Sequence, residues 1–126
     1  MNIIHSEQAP KAVGPYSQAI AHEGIVYASG QIGLIPETGQ MIEGDVEAQA
    51  KQVTQNLSAV LEASGASVND IIKVTIFLID MNDFPRVNAI YAAWLGEHRP
   101  ARATVAVAAL PLNAQVEMDL IARLPA

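Results

Sequence analysis

The sequence predicts an α+β fold: one mixed sheet with two helices packed on one face. Three observations point there. Two long segments, beginning at Val46 and Phe84, carry apolar residues at three- and four-residue steps. The stretches around them are short, branched and alternating, as strands are. Two helices are too few to cover both faces of such a sheet, so both belong on one side. The predicted order is strand, strand, helix, strand, helix, strand, strand.

Taken in turn, residues 17–35 read as strand material. Ile20 and Ala21 lead into His22-Glu23-Gly24, a turn signal, and Ile25 to Ser29 returns as the second arm of a hairpin. Pro36, Gly39 and Gly44 mark a loop. Asp45 is placed to cap the first helix with its carboxylate. Val46, Ala50, Val53, Leu57, Val60, Leu61 and Ser64 recur at three- and four-residue steps as its apolar stripe, with Gln49, Lys51, Gln52, Gln55, Asn56 and Glu62 on the other side, and Gly65 ends it. Ile71 to Ile79 is almost wholly apolar and reads as a central strand covered on both faces. Asp80 to Asp83 turn the chain. Phe84, Val87, Ile90, Tyr91 and Trp94 line one face of the second helix, with Pro85 in its first turn and a stop near Gly96. Arg102 to Leu110 and Gln115 to Ala122 read as two strands joined at Pro111-Leu112-Asn113. In the last strand Val116, Met118 and Leu120 share one face, and Gln115, Glu117 and Asp119 the other.

Composition narrows the function classes. A length of 126 residues fits one domain, 1–126. Hydrophobic residues make up 51%, and charged residues only 16%, against roughly 25% in an average soluble domain. So few charges suggest that the spare sheet face is buried against another copy of the chain. The net charge of -6, with 7 Lys+Arg, disfavours a nucleic-acid footprint. There is no cysteine, hence no disulfide, thiolate nucleophile or Cys-based zinc site. His5, His22 and His98 show no ligand spacing, so no metal is expected. No secretory signal or membrane span is read, and the expected location is cytoplasmic.

Arg102 is the only charged residue between Pro100 and Val116. Its planar fork matches a carboxylate, and a lone guanidinium is expensive to bury. A tight hairpin at Pro111-Leu112-Asn113 would set Glu117 opposite Val107, on the order of 15 Å from Arg102 along the strand. Arg102 is then either a fork open to an anionic ligand or a strand-end arginine reaching water or an interface carboxylate. Glu117 is either a group that holds or deprotonates a water or part of a solvated strand face. Tyr16 either walls a pocket or packs. Ser29-Gly30 either lets a ligand approach the backbone or forms a bulge.

Four segments resemble the RidA (YjgF) family. They are 14–19 (GPYSQA), 29–32 (SGQI), 82–91 (NDFPRVNAIY) and, most specifically, 100–122 (PARATVAVAALPLNAQVEMDLIA). The last joins Pro-Ala-Arg, an alternating strand, a Leu-Pro turn and Val-Glu-Met in one order. The similarity runs over essentially the whole chain. It implies a chorismate-mutase-like subunit and a homotrimer whose sheets form a central β-barrel, with a cleft at each subunit boundary. It also implies an activity without cofactor: hydrolytic deamination of 2-aminoacrylate, 2-iminobutanoate and 2-iminopropanoate to 2-keto acids and ammonia. Under the resemblance Arg102 holds the substrate carboxylate and Glu117 orients the attacking water. Tyr16, Ser29 and Gly30 line the cleft. Thr104 stands where many members have cysteine, with its backbone toward the ligand. The partners are small imine and keto acids and further copies of the chain, with no nucleic acid or membrane. Two rival functions remain: a non-catalytic ligand- or partner-binding module, and an endoribonuclease or translation inhibitor.

Overall fold

The computed structural model describes residues 1–125. Six strands form one sheet in the order β1-β2-β3-β6-β4-β5. They are β1 (Asn2–Ile4), β2 (Ala19–His22), β3 (Ile25–Gln31), β4 (Ile71–Leu78), β5 (Ala101–Ala106) and β6 (Val116–Arg123). The helices are α1 (Val46–Ser64) and α2 (Phe84–Leu95).

The hairpin β2–β3 turns on Glu23 (φ 51°) and Gly24 (φ 80°), with His22 paired to Ile25. Two positive φ values in a two-residue loop match the right-handed twist of the flanking strands. The Asp45 side chain accepts from the Ala48 N–H and so caps α1, and Gly65 closes the helix in the left-handed conformation. Pro85 sits in the first turn of α2, where a missing N–H is harmless.

The end of the chain departs from the expected hairpin. β5 and β6 are not neighbours. β5 pairs only with β4, in parallel, and β6 inserts antiparallel between β3 and β4. β6 thus has its backbone groups paired on both sides, by β3 and β4, while β5 takes the sheet edge. β5 ends at Ala106 rather than Leu110, and its Val107 N–H returns to the Leu78 carbonyl at 2.7 Å. β1 was not expected from the sequence. It is three residues long and adds antiparallel to β2 at the sheet edge.

The core lies between the helices and one sheet face. Val53, Leu57 and Val60 of α1 and Val87 of α2 are fully buried with Val74, Ile76, Val116 and Met118. The opposite face is not covered by this chain. Tyr27 and Val105 there are 50% and 44% exposed, and Ile72 and Ile79 at the ends of β4 are 44% and 42% exposed. β4 is therefore packed on one side only within this chain, not on two. Four polar residues of α1, Gln49, Gln52, Thr54 and Asn56, are also buried. Asn56 donates to the carbonyls of Ile32 (3.2 Å) and Leu34 (2.9 Å), Gln52 donates to Asn56, and Gln49 accepts from the Gln115 N–H at 2.8 Å. Asn56, steadied by Gln52, thereby satisfies the carbonyls of Ile32 and Leu34 and holds that segment over the helix.

Candidate functional site

The predicted residues collect into two concavities rather than one. A cleft of about 780 Å³ brings together Tyr16, Ser29, Gly30 and Glu117, with Leu112 and Val13 at its rim. A second, of about 440 Å³, holds Arg102 with Asn88, Tyr91 and Arg99.

The Glu117 cleft is built by a bulge. β3 and β6 pair Ala28 with Leu120 but Gln31 with Met118, so an extra residue is accommodated at Ser29-Gly30. Ser29 is held there by its own backbone and side chain. Its N–H donates to the Gln18 carbonyl at 2.9 Å and its hydroxyl to the Ser17 carbonyl at 2.6 Å. Gln18, 2% exposed, in turn accepts from the Ser6 N–H and donates to the Pro10 carbonyl, fastening the segment that carries Pro10, Lys11 and Val13 along the cleft wall. Gly30 leaves room for the acid. A Cβ at this position would lie 2.8 Å from Glu117 Oε2 and 2.9 Å from its Cδ. Half-buried, the Glu117 carboxyl is pushed above its ordinary range, first by burial and then by the charge of Asp119. Tyr16 is 53% exposed and walls the same cleft.

Arg102 belongs to the other face of the sheet. It pairs with Val74 of β4, whose side chain points into the helix-covered core, whereas Glu117 pairs with Phe77 on the uncovered face. Two strand spacings and three residues of rise separate them by roughly 14 Å between Cα atoms, with side chains on opposite sides. Remoteness from Glu117 thus holds, but through the intervening β4 rather than through a long hairpin. The guanidinium lies 5.1 Å from the Phe84 ring centroid and 5.3 Å from that of Tyr91. Its NH1 donates to Asn88 Oδ1 at 2.6 Å. Among the described residues it makes no ion pair. One nitrogen is therefore spent on orientation while Nε and NH2 stay open for an anion. Thr104, two residues on, also faces the helices, and its hydroxyl is buried without a hydrogen-bond partner among the described residues.

Phe84, Asn88 and Tyr91 follow one another at four- and three-residue steps on α2, so they share a stripe under Arg102. The sequence marked Phe84 and Tyr91 as core residues and passed over Asn88. A polar residue on an apolar stripe was the available signal. Leu112 was also missed. It has φ 54°, unusual for a branched side chain, and is 69% exposed at the Glu117 cleft. No group of three or more His, Asp or Glu side chains among the described residues forms a metal site, and no helix is long and apolar enough to cross a membrane.

A small α+β chain with an uncovered sheet face and two separate concavities belongs to a class that sequence and structure comparison identify. The model of the family described as Endoribonuclease L-PSP matches residues 6–124. A 2-iminobutanoate/2-iminopropanoate deaminase of Mus musculus is 46% identical over 120 residues, covering 95% of this chain and 89% of the relative. The structure of RidA from an Antarctic Psychrobacter species superposes with TM-score 0.95 at 45% identity, covering 98% of this chain and 100% of the Psychrobacter chain. That of Escherichia coli TdcF with bound serine superposes with TM-score 0.94 at 40% identity, covering 99% of this chain and 100% of TdcF. The chain belongs to the RidA (YjgF) family, whose model carries the endoribonuclease L-PSP description.

Proposed function

We propose that this protein hydrolyses small 2-imino and 2-enamine acids to 2-keto acids and ammonia, at sites completed between copies of the chain in a homotrimer. The observation that carries the reading is the division of the site. Arg102, without an ion pair among the described residues, and Glu117, with a raised pKa, occupy separate concavities on opposite sheet faces. One chain cannot present both to a molecule the size of 2-iminobutanoate. Apposing the uncovered face of one subunit to a neighbour would bury Tyr27 and Val105 and bring the halves together.

In this mechanism the Arg102 fork takes the substrate carboxylate, pre-aimed by Asn88 and the two rings. The iminium carbon is already electrophilic. Ionised Glu117 accepts a hydrogen bond from a water and takes its proton as the oxygen bonds to that carbon. Protonated Glu117 returns its proton to the nitrogen of the carbinolamine, the C–N bond breaks to release ammonia, and the hydroxyl oxygen forms the C=O of the keto acid as its proton passes to solvent. An enamine substrate first takes a proton at carbon to become the imine. Holding carboxylate and water in line supplies acceleration by proximity, with no covalent nucleophile and no cofactor. Serine bound to TdcF supports a pocket for small amino-acid-like carboxylates. It equally favours a second reading, a binding module without turnover. The endoribonuclease description suits this chain less well, because its net charge is -6.

The test is steady-state assay of Arg102→Ala with 2-iminobutanoate generated in situ. A loss of about 10²-fold or more in keto-acid release is expected. Unchanged release would remove the proposed role. Binding of 2-oxobutanoate by a wild-type protein that never turns over the imine would favour the binding module.

A further inference from the structure

The Arg102 concavity contains more positive charge than a single carboxylate uses. Arg99 and Arg102 both line it, and no acidic residue does. In a chain of net charge -6, two guanidiniums left together without an acid form an anion site in search of its ligand. Arg99 spends NH1 on the carbonyls of Gly96 and His98, at 2.7 and 2.8 Å. That anchors the guanidinium beyond the C-terminal end of α2 and leaves Nε and NH2 unspent. Tyr91, 4% exposed, lines the same concavity with its ring 5.3 Å from the Arg102 guanidinium, and its hydroxyl has no hydrogen-bond partner among the described residues. A buried phenol donor left unmade is unfavourable, and an acid oxygen in the cavity would satisfy it. Burial pushes the Tyr91 phenol up, while the charges of Arg102 and Arg99 pull it down, so both guanidiniums bear on this one hydroxyl. At about 440 Å³ the cavity falls within the range of small-molecule sites, roughly 300–1,000 Å³.

We infer that Arg99 and Tyr91 form a subsite for a second acidic group, so that the protein prefers imino and keto acids bearing a side-chain carboxylate. The inference rests on the proposed role of Arg102 as holder of the first carboxylate. With that carboxylate on Arg102, the second reaches the open nitrogens of Arg99 and receives the Tyr91 O–H.

The experiment compares 2-oxoglutarate with 2-oxobutanoate by calorimetric binding to the full chain. It then compares hydrolysis of 2-iminoglutarate with that of 2-iminobutanoate. Wild type is expected to bind 2-oxoglutarate at least about tenfold more tightly, the scale of one charge-assisted hydrogen bond. Arg99→Ala and Tyr91→Phe should each carry that ratio toward one, and Arg99→Lys should keep part of it. Arg99 is exposed, so its replacement spares the fold, which a thermal melt checks. A ratio near one in wild type, or a ratio unmoved by both variants, overturns the subsite. The two proposals fail separately. Binding preference without hydrolysis of either imine sinks the deaminase reading and leaves the subsite. Hydrolysis of 2-iminobutanoate with no preference between the keto acids does the reverse.

Discussion

Replacing Gly30 by alanine adds one carbon where the Glu117 carboxylate lies. The new Cβ would sit 2.8 Å from Oε2, 2.9 Å from Cδ and 3.2 Å from Cγ. Gly30 is not among the residues with positive φ, so its backbone accepts alanine, and the conflict is confined to the acid. Glu117 is half-buried with three side-chain torsions, so it swings away rather than forcing the sheet apart. An off-rotamer side chain costs about 0.5–1.5 kcal/mol, and the melting temperature should fall by no more than about 5 °C. Turnover should suffer far more. Moving a water-positioning group by ~1 Å is worth about 10²-fold in rate. The assay is release of 2-oxobutanoate from 2-iminobutanoate, read beside a thermal melt. The same substitution in a Glu117→Ala background should change the rate by less than about twofold, because the displaced group is already gone. A Gly30→Ala protein within about threefold of wild type, or one that loses as much again in the Glu117→Ala background, would refute the reasoning.

Three further outcomes follow from the electrostatics and the buried hydroxyl. The pKa of Glu117 is raised by burial first and Asp119 second, and the acid must be ionised to take the proton of water. Activity therefore falls as pH drops through the raised value, and Asp119→Asn should move that acidic limb to lower pH; a pH–rate profile with the limb unmoved would count against it. The same raised pKa makes the protonated carboxyl a stabilising feature below the unfolded-state value that is lost as pH rises through the folded one, so Glu117→Gln should gain in melting temperature relative to wild type across that window. The Thr104 hydroxyl is buried without a partner among the described residues, and Thr104→Val should be neutral or raise the melting temperature while sparing turnover. A loss of turnover would mean that the hydroxyl meets substrate.

The helices and the first hairpin were legible because each signals itself locally. Asp45 and Gly65 bracket α1, and Glu23-Gly24 permits only a tight turn. The terminal topology was not. Pro111-Leu112-Asn113 reads as a hairpin to any local rule, yet the pairing of β6 is decided by partners far away in sequence, on β3 and β4. β1 escaped because three residues carry no period. Arg102 stood out as a lone charge in an apolar stretch, and the faces of β6 were correct from alternation alone. What no local pattern conveyed is that Arg102 and Glu117 look in opposite directions across β4. Asn88 was hidden for the same reason, since its role depends on β5 lying beneath α2. Gln49, Gln52 and Asn56 looked like a solvent face because the loop that covers them has no regular pattern.

Complementation tests the divided site most directly. Arg102→Ala and Glu117→Ala proteins, each inactive alone, are mixed in equal amounts under conditions that let subunits exchange. If each site takes Arg102 from one copy and Glu117 from the next, random assembly restores both groups at about one boundary in four, so about a quarter of wild-type turnover should return. A mixture no more active than its separate components, with exchange verified, would contradict a site shared between copies.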